Sequence, residues 1–504
     1  MMVVAVARDT KQTLSGLLRG LARVDAGLDR TVGGVSMDSR AAAPGDLFLA
    51  TIGSREHGLA YAYEAVRRGV AAIAYEVPTE LPLPEADIPL IPVPALGRQA
   101  GNIAARFHAY PSRGMQVIGV TGTNGKTSCT SLLAQVLAGT GTGCGLIGTL
   151  GYGRPGDLTD SGMTTPDPVR LQKILAGFRD NGITRVAMEV SSHSLAQRRE
   201  AGVHFDAALF TNLTRDHLDY HRSAECYFRA KRRLFEHPHL KVAAINADDP
   251  AGRRLLEALP AGCTAVLYGT ESRIDAPPGV ARLEGRIETG DTGLVLHVDG
   301  SWGRARLEAP LLGRFNGLNL LGCLAVLLGL DVPLEEAARR LAAVRPVPGR
   351  MQVHGGDGRP LVVIDYAHSP DALEKALTAC REHTRGRLIC VFGCGGDRDR
   401  GKRAEMGRIA GGLADWMVLT DDNPRGEDPD VIVAGILEGV PDPERVTVQH
   451  DRRRAIAQAI GGARPEDLVL VAGKGVESCQ VIGDRRVPFR DGDAVDRALG
   501  RYRR

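Results

Sequence analysis

Aromatic residues are scarce: Phe, Trp and Tyr make up 4% of the 504 residues, so the cores must rely on Ala, Val, Leu and Ile. A surplus of one charge is also missing, because the formal net charge is +3 and the charged residues are spread along the chain. Proteins that bind nucleic acid or anionic membranes through charge carry a concentrated basic surface. We therefore expect neither partner, and we expect the arginine clusters Arg452–Arg454 and Arg501–Arg504 to form solvated faces.

Paired cysteines and long apolar runs are missing as well. The nine cysteines are dispersed without a C-x-x-C pair, which argues against a disulfide framework or a structural zinc site and for a reducing compartment. The longest apolar run, Leu320–Leu330, falls short of the roughly 20 residues of a membrane-spanning helix, so we predict a buried helix. The segment Met1–Arg8 lacks the basic lead of a signal peptide. We expect a cytoplasmic monomer.

Glycine is plentiful, with 62 residues that cluster at turns between β and α patterns. This alternation is typical of an α/β protein, and we divide the chain into three domains. Residues 1–98 are predicted to form a small α/β domain, and residues 99–345 a central ATPase-like domain with a mostly parallel sheet. Residues 346–504, after the predicted linker Arg345–Arg350, form a doubly wound, Rossmann-like α/β domain.

Short apolar runs predict the strands of the two larger domains. They are Met115–Val120, Arg185–Val190, Ala207–Phe210, Val242–Ile245, Leu361–Asp365, Leu388–Phe392, Trp416–Thr420 and Leu468–Ala472. A helix is predicted from Lys126 to about Leu137, directly after the first of these strands.

A glycine-rich turn between that strand and that helix indicates a phosphate-binding loop. It reads Gly122-Thr123-Asn124-Gly125-Lys126-Thr127-Ser128. The unpaired N–H groups of a helix's first turn attract phosphate oxygens, and glycine lets the backbone approach them. We expect the loop to bind ATP, with Lys126 on the outer phosphates and the Thr127 hydroxyl on Mg²⁺. The general pattern has glycine at position 120, where this chain has Val120, so that pattern is matched imperfectly.

Polar residues that follow two other strands are candidates for a metal site. Glu189 ends a strand where phosphate-loop folds place a magnesium ligand, and His217 follows the strand Ala207–Phe210. Mg²⁺ prefers oxygen ligands, so a histidine alone indicates little. On the residues alone, Glu189 and His217 can equally be polar strand-end residues, and Lys231 can be a solvated helix lysine.

Together, the strings from Asp38 to Glu477 resemble the Mur ligase family, ATP-dependent amide-forming enzymes of peptidoglycan precursor synthesis. The resemblance implies that Lys126, Glu189, His217 and Lys231 are catalytic and that Glu189 and His217 hold magnesium. It also implies a CO₂-derived carbamate on Lys231, because an ammonium would repel Mg²⁺ whereas a carbamate can coordinate or orient it.

Within the family, the chain is similar to the ligases that add the third residue of the peptide. The residues that would hold UDP-MurNAc-L-Ala-D-Glu are Met37, Ser39, Ser54, Arg55, Glu56, Thr164, Thr165, Ser191, Gln197 and Arg199. Without the resemblance, Thr164–Pro166 would be a turn and Ser191–Ser194 a helix cap. The resemblance also places Asn316, Asp365 and His368 near the ATP.

The string Asp422-Asn423-Pro424-Arg425 bears on the incoming amino acid, because in the resembling enzymes it accompanies meso-diaminopimelate. Diaminopimelate differs from lysine by a second carboxylate, which a guanidinium can bind through two parallel, charge-assisted hydrogen bonds. The resemblance adds Arg398, Gly473 and Glu477 as contacts of the amino acid. Without it, the string would be an Asn-Pro turn with an exposed arginine.

The last family string is altered in this chain. The family form Gly-Lys-Gly-His-Glu-x-Tyr-Gln becomes Gly473-Lys474-Gly475-Val476-Glu477-Ser478-Cys479-Gln480. Gly473 and Glu477 are kept, whereas Val476 and Cys479 replace the histidine and the tyrosine. The replacement bears on the fine shape of the amino-acid pocket rather than on the class of ligand.

Three alternatives stay open at this point. A lysine-adding ligase of the same family would lack the arginine at position 425. A folylpolyglutamate synthetase would share the phosphate loop and the modified lysine, but the string Asp38-Ser39-Arg40 argues against it. A regulatory nucleotide-binding module would bind ATP yet release no phosphate when given both co-substrates.

Overall fold

The computed structural model describes residues 12–53, 56–139, 141, 143–214, 216–270, 273–290 and 293–502. The predicted nucleotide-sugar contacts Ser54 and Arg55 therefore lie outside the described residues, as do Arg503 and Arg504. The chain divides into two units. The first holds the chain up to Tyr268 with Asp275–Arg282 and Ala325–Asp331, and the second holds Gly269–Ile274, Leu283–Leu324 and the chain from Val332 onward.

Strands and helices alternate through the first unit, as a chain built from βα units requires. The strands are β1 (Gln12–Thr13), β2 (Thr31–Val32), β3 (Gly34–Ser36), β4 (Asp46–Ala50), β5 (Ala72–Val77), β6 (Leu90–Pro94), β7 (Gln116–Thr121), β8 (Cys144–Gly148), β9 (Gly151–Arg154), β10 (Asp157–Thr159), β11 (Arg185–Glu189), β12 (Ala207–Phe210), β13 (Val242–Asn246) and β14 (Thr264–Gly269). The helices are α1 (Leu14–Leu18), α2 (Ala62–Arg67), α3 (Leu96–Phe107), α4 (Lys126–Ala138), α5 (Pro168–Asp180), α6 (Ser192–Ala196), α7 (Leu218–His221), α8 (Ala224–Arg232) and α9 (Pro250–Arg253).

The first unit contains two main sheets. In the smaller one, β3, β4, β5 and β6 are parallel neighbours in that order. In the larger one the order is β10-β9-β8-β11-β7-β12-β13-β14, and neighbours are parallel except for β9, which is antiparallel to both β10 and β8. Parallel strands end at the same sheet edge, so the segments after β7, β8, β11 and β12 meet there.

The later elements follow the same alternation after an antiparallel meander. The strands are β15 (Ala281–Thr289), β16 (Leu294–Gly300), β17 (Gly303–Ala309), β18 (Gln352–Gly355), β19 (Leu361–Asp365), β20 (Leu388–Phe392), β21 (Trp416–Leu419), β22 (Val446–Val448), β23 (Leu468–Ala472), β24 (Cys479–Ile482) and β25 (Arg485–Pro488). The helices are α10 (Arg314–Gly329), α11 (Leu334–Ala342), α12 (Pro370–Glu382), α13 (Lys402–Leu413), α14 (Pro429–Leu437), α15 (Arg452–Gly461) and α16 (Asp491–Arg501).

The six-stranded sheet of the second unit is covered on both faces. Its order is β18-β19-β23-β20-β21-β22, with only β18 antiparallel to its neighbour. One core joins the sheet to α12, α13 and α14 through residues such as Leu377 and Met406. The other joins it to α15 and α16 through residues such as Ile456 and Val495. Because both faces are buried, the central strands β20 and β23 are apolar along their whole length.

The α/β class, the mostly parallel central sheet and the Rossmann-like second sheet are confirmed. The eight predicted strands agree with the observed ones to within one residue at each end, and the apolar run from Leu320 lies in α10. The meander β15–β17 was not predicted, although Leu294, Leu296 and Val298 alternate with less buried residues along β16. The domain boundaries at residues 98 and 345 stay a prediction.

All nine cysteines are free thiols. No helix among the described ranges is long and apolar enough to cross a membrane.

The expectation of solvated arginines is wrong for Arg452. Arg453 and Arg454 are exposed, but Arg452, at the start of α15, is fully buried. Its Nε and Nη2 donate to the two carboxylate oxygens of Asp491 at 2.7 and 2.8 Å, and Nη2 also donates to the Ala472 carbonyl at 2.9 Å. Consecutive helix residues point in different directions, so a run of arginines places one of them in the core.

Removing one partner of this buried pair leaves the other charge without compensation. We expect Asp491→Ala to lower the free energy of unfolding of the second unit by about 3–5 kcal/mol. Trp302 and Trp416, the two tryptophans of the chain, both lie in this unit, so urea unfolding followed by tryptophan fluorescence reports on it. Arg454→Ala, at an exposed site, serves as the control and should change the free energy of unfolding by at most about 0.5 kcal/mol. Equal effects of the two variants would contradict the prediction.

Candidate active site

The phosphate loop follows β7 and is braced by the segment after β12. The backbone N–H of Thr123 donates to the Asn212 carbonyl at 2.8 Å, and that of Asn124 donates to Asn212 Oδ1 at 2.9 Å. Thr211 Oγ1 donates to the Asn124 carbonyl at 2.6 Å. Gly122 has a φ of +152°, and a Cβ there would lie 1.8 Å from Thr211 Oγ1. The close approach of the brace therefore requires glycine at this position.

Lys126 begins α4 after Gly125, whose φ is +85°. Its Nζ donates to the carbonyls of Gly122 and Thr123 at 2.9 and 2.8 Å, which holds the ammonium over the loop. The next residues of the first turn, Thr127–Ser128, are buried. Helix N–H groups and an ammonium thus concentrate positive charge at the carboxyl end of β7, where an anion would bind.

Glu189 ends β11, which pairs in parallel with β7, so its carboxylate lies at the same sheet edge as the phosphate loop. Its Oε2 accepts hydrogen bonds from the hydroxyls of Thr127 and Thr149 at 3.1 and 3.2 Å, and Oε1 accepts one from the Thr149 N–H at 2.8 Å. A Cβ at Gly148 would lie 2.3 Å from Oε1, so the missing side chain leaves room for the carboxylate. A carboxylate beside two hydroxyls is the oxygen-rich environment that Mg²⁺ prefers.

Lys231 lies on α8 and is 1% exposed, which excludes the solvated helix lysine. Its Nζ donates to the Gly122 carbonyl at 2.7 Å and lies 4.4 Å from the centre of the Tyr227 ring. Burial, reinforced by the charge of Lys126 and opposed by Asp216, lowers the pKa of Lys231 well below its usual 10.5. The lowered pKa favours the neutral amine, which is the nucleophilic form of lysine.

His217 precedes α7 and has a φ of +53°. Its ring packs against His193 and Tyr227, with ring centres 4.8 and 6.2 Å away, and its Nε2 lies 3.3 Å from Asp216 Oδ2. In the part of the chain that the structure describes, no group of three or more His, Cys, Asp and Glu residues is arranged to hold a metal ion. The Tyr227 ring is a neighbour of both the His217 ring and Lys231 Nζ.

The residues after β10 that are predicted to hold the UDP-MurNAc-dipeptide form one hydrogen-bonded network. Thr165 Oγ1 donates to the backbone carbonyl of Glu189 at 2.9 Å and accepts from the Ser191 N–H at 3.2 Å. Arg199 Nη1 donates to the Thr165 carbonyl at 2.9 Å, and its Nε donates to Gln197 Oε1 at 2.8 Å. The network begins at the strand end that carries the Glu189 carboxylate.

Thr164 connects this network to the carboxylate by a second route. Its Oγ1 lies 3.1 Å from the Thr149 hydroxyl, which donates to Glu189. Ser191 is also a helix cap, since its Oγ accepts from the Ser194 N–H at 3.1 Å at the start of α6. Ser191 is therefore a helix cap that also belongs to the network, and its contact with the dipeptide stays a prediction.

Three predicted contacts of the nucleotide sugar lie around the smaller sheet. Met37 packs against its hydrophobic core, and Ser39 Oγ donates to Glu64 Oε2 at 2.6 Å. The Tyr61 hydroxyl donates to Glu56 Oε2 at 2.8 Å. These bonds fix the side chains of Ser39 and Glu56.

The three residues predicted near the ATP outside the phosphate loop belong to the second unit. Asn316, on α10, donates from Nδ2 to a backbone carbonyl one turn earlier at 2.8 Å. Asp365 ends β19, accepts from the Met351 N–H at 2.8 Å, and has its pKa raised by burial. His368 Nδ1 lies 2.7 Å from the Tyr366 carbonyl.

The segment Asp422–Arg425 follows β21 and lies along β24. The N–H of Arg425 donates to the Val481 carbonyl at 2.9 Å, and the Gly483 N–H donates to the Arg425 carbonyl at 2.7 Å. Arg425 has a φ of +52°, a conformation uncommon outside glycine, and these two bonds hold it there.

The guanidinium of Arg425 lies over the turn Gly395–Gly396. Its Nη1 donates to the Gly396 carbonyl at 2.8 Å. A Cβ at Gly395 would lie 2.8 Å from that nitrogen and 3.7 Å from Arg398 Cγ. Both predicted arginines thus border Gly395, and a side chain there would displace the Arg425 guanidinium.

The other predicted contacts of the amino acid surround the same segment. Asn423 Nδ2 donates to Glu477 Oε2 at 2.8 Å, and Pro424 is buried. Gly473 has a φ of +113°, and a Cβ there would lie 2.6 Å from Asp422 Oδ2. Burial raises the pKa of the Asp422 carboxyl. Gly473 and Glu477, the two contacts of the amino acid predicted from the altered last string, therefore both contact the predicted segment.

Four residues that contact the predicted ones were absent from the prediction: Thr149, Asn212 and Tyr227 in the first unit, and Lys474 in the second. Thr149 follows β8, and the rule that parallel strands end at one edge could have found it. Asn212, Tyr227 and Lys474 stand inside strings that were singled out for other residues, and only their partners far along the chain distinguish them.

A phosphate loop with a buried carboxylate and a buried lysine at one edge of a parallel sheet defines an enzyme that acts on nucleoside phosphates. Family models match most of the chain: "Mur ligase family, catalytic domain" over residues 31–108, "Mur ligase middle domain" over 120–327, and "Mur ligase, glutamate ligase domain" over 349–475. The chain belongs to the Mur ligase family. It is an ATP-dependent, amide-bond-forming ligase of peptidoglycan biosynthesis.

Relatives of one name cover nearly the whole chain. The UDP-N-acetylmuramoyl-L-alanyl-D-glutamate–2,6-diaminopimelate ligase of Alkalilimnicola ehrlichii is 50% identical over 480 residues, which are 94% of this chain and 95% of that protein. The ligase of the same name from Coxiella burnetii is 46% identical over 471 residues, 94% of this chain and 96% of that one. A solved structure of a ligase of this name superposes with a TM-score of 0.70 at 33% identity and covers 97% of this chain and 99% of its own.

Proposed function

We propose that the chain joins meso-2,6-diaminopimelate to UDP-N-acetylmuramoyl-L-alanyl-D-glutamate and cleaves ATP to ADP and phosphate as it does so. The names of the relatives that share 50% and 46% of their residues with it support this choice of substrates. The proposal includes a cytoplasmic location and a monomeric state, and neither nucleic acid nor a membrane as a partner.

The observation that carries the proposal is the double connection of Glu189. Its carboxylate contacts Thr127 of the phosphate loop, and its backbone carbonyl accepts from Thr165 of the network assigned to the dipeptide. One strand end therefore adjoins both the site for ATP and the site for the acceptor. A carboxylate that has to attack a γ-phosphate must be held within contact distance of it, and this arrangement supports that placement.

Mg²⁺ fits the residues at this strand end, because the Glu189 carboxylate and the Thr127 hydroxyl are hard oxygen donors that already lie within 3.1 Å of each other. The residues that would hold magnesium are Thr127, Glu189, His217 and, after carbamylation, Lys231. When bound, magnesium would offset the repulsion between the anionic acceptor and ATP.

The burial of Lys231 supports its carbamylation. The neutral amine attacks CO₂, a new N–C bond forms, and one proton leaves to water, which yields an anionic carbamate. An ammonium 1% exposed beside Lys126 would be poorly solvated, whereas an anion there would be paired with that neighbouring cation. The modification therefore turns an unfavourable like-charge contact into a favourable one.

The reaction proceeds in two steps. The terminal carboxylate of the UDP-MurNAc-dipeptide attacks the γ-phosphorus of ATP, so that ADP leaves and an acyl phosphate forms. The amine of diaminopimelate then attacks the acyl carbon through a tetrahedral intermediate, phosphate leaves and the nitrogen loses a proton. Lys126 and the first turn of α4 stabilise negative charge on the transferred phosphoryl group. The network around Thr165 and Arg199 orients the attacking carboxylate.

Arg425 carries the choice of amino acid in this proposal, together with Arg398, whose Cγ lies near the same glycine turn. Two guanidinium groups suit the distal carboxylate that diaminopimelate has and lysine lacks. Glu477 suits the ammonium of the substrate. Asp422, Asn423 and Gly473 are further proposed contacts of the amino acid.

A phosphate-release assay with ATP and UDP-MurNAc-L-Ala-D-Glu tests the proposal when diaminopimelate and lysine are supplied separately. We expect phosphate release in step with product formation for diaminopimelate, and a much lower kcat/KM for lysine. Preferred use of lysine would assign the chain to the lysine-adding ligases. ATP binding without phosphate release from either amino acid would instead indicate a regulatory module.

A further inference from the structure

We infer that Lys474 is a positioning residue for the selection of the amino acid. It fixes Asn423 and Glu477, and through them the segment that carries Arg425. The inference rests on the proposed function, because it takes the segment Asp422–Arg425 to be the site of the incoming amino acid. None of the reacting atoms needs to touch Lys474 for this role.

The lysine is completely buried, an unusual environment for a charged side chain. Its Nζ donates to Glu477 Oε2 at 2.7 Å and to Asn423 Oδ1 at 3.1 Å. Such burial is tolerated only where the charge is paired and hydrogen-bonded, so these partners account for the position of the ammonium. The glycines on either side, Gly473 and Gly475, both have positive φ, at +113° and +52°.

Lys474 determines which way the Asn423 amide faces. Asn423 Oδ1 accepts from Lys474 Nζ and, at 2.9 Å, from the Val481 N–H, whereas Nδ2 donates to Glu477 Oε2 at 2.8 Å. If the amide turned over, its NH₂ group would face two donors and its oxygen would face a carboxylate. The ammonium therefore excludes the flipped amide.

The same ammonium also sets the Glu477 carboxylate. Lys474 and Asn423 both donate to Oε2, which leaves Oε1 out of these two bonds. The side chain of Glu477 is 34% exposed, so the carboxylate reaches from the buried ammonium to the surface. A carboxylate held in this way can present Oε1 to the ammonium of the amino acid.

The hydrogen bonds that fix Asn423 also help to fix Arg425, two residues later. The Asn423 side chain is bonded to the Val481 N–H, and the Arg425 N–H is bonded to the Val481 carbonyl at 2.9 Å. Both ends of the segment are thus attached to one residue of β24. Because Arg425 has a positive φ, loss of the first attachment would let the segment relax and move the guanidinium.

Further buried charges near the segment Asp422–Arg425 make Lys474 hard to replace. Arg452 and Asp491 form a fully buried pair beneath the segment, and Asp422 is buried as well. With Glu477, the set contains three carboxylates and two cations. Removing Lys474 would leave the carboxylates of Asp422 and Glu477 with less positive charge nearby. We therefore expect the segment Asp422–Arg425 to change its conformation.

The test compares Lys474→Met, in the full chain, with the wild-type enzyme. Methionine keeps the unbranched side chain but cannot donate to Asn423 or Glu477. We expect the KM for diaminopimelate to rise at least about 10-fold and the preference for diaminopimelate over lysine to fall at least about 10-fold. The KM values for ATP and UDP-MurNAc-dipeptide should stay within about 2-fold, a split that general loss of stability would not produce.

Lys375→Met is the matched control, because Lys375 is exposed on α12 of the same unit and pairs with Asp371 one helical turn earlier. It should leave all three KM values and the amino-acid preference unchanged. If circular dichroism shows that Lys474→Met does not fold, Lys474→Gln, which keeps one donor, should give a smaller shift in the same direction.

An unchanged preference in a folded Lys474 variant would overturn the inference, as would an equal rise of all three KM values. Failure of the proposed function is distinguishable, because the wild-type enzyme itself would then not use diaminopimelate. If the wild-type enzyme prefers diaminopimelate and the variant has the same preference, the role of Lys474 is contradicted but the proposed function is not.

Discussion

Arg425→Lys should raise the KM for diaminopimelate about 30-fold, which corresponds to about 2 kcal/mol, and leave the KM for ATP within about 2-fold. A lysine ammonium is a point donor and cannot form two parallel hydrogen bonds with the distal carboxylate. The bond from the guanidinium to the Gly396 carbonyl, at 2.8 Å, would also change. Steady-state kinetics with each substrate varied in turn measure the effect.

Lysine as the competing substrate separates recognition from general damage. Because lysine has no distal carboxylate, its kcat/KM should change little, so the preference for diaminopimelate should fall by nearly the full factor. Arg408→Lys, at an exposed position of α13, is the control and should leave both substrates unaffected. An equal loss of kcat/KM for the two amino acids would show that Arg425 stabilises the segment Asp422–Arg425 and does not bind the distal carboxylate.

Lys231→Ala should lower kcat about 100- to 1,000-fold, because it removes the anion proposed to form beside the phosphate loop. Formate or acetate should restore part of the activity, since a small carboxylate can enter the space that the side chain leaves. Lys173→Ala, an exposed lysine on α5, should keep wild-type kcat and show no response to formate.

The proposed carbamate can be measured directly in the wild-type enzyme. Protein equilibrated with ¹³C-bicarbonate should show one carbamate carbon resonance that is absent from Lys231→Ala. Removal of CO₂ should lower the activity, and added bicarbonate should restore it. A variant at Lys231 with wild-type turnover, or an unchanged carbon spectrum, would exclude the modification from the mechanism.

Much of the candidate site follows from local patterns. The loop Gly122–Ser128 could be located because a strand, a glycine turn and a helix start are neighbours in the chain. Glu189 could be placed beside it because strand ends of a parallel sheet share an edge. Their contact at 3.1 Å through Thr127 agrees with that reasoning. His217 could be placed near the loop, but its neighbours His193 and Tyr227 could not be foreseen.

Other features could not be predicted, since they depend on partners distant in sequence. Arg452 and Asp491 are buried together although they are 39 residues apart. The Lys231 amine donates to the Gly122 carbonyl 109 residues away. Whether an arginine or a lysine of a polar helix is solvated depends on which helix face meets the core, and a run of charged residues does not reveal it.

The sequence by itself determined the α/β class, the phosphate loop and the family, because strand and helix periodicity and short motifs are properties of neighbouring residues. Only the tertiary structure decided that Lys231 is a buried amine and that Arg425 and Arg398 both border Gly395. It alone placed Lys474 beneath Asn423 and Glu477. Burial, pKa and the direction of a side chain arise from contacts between distant segments, and these exist only once the chain has folded.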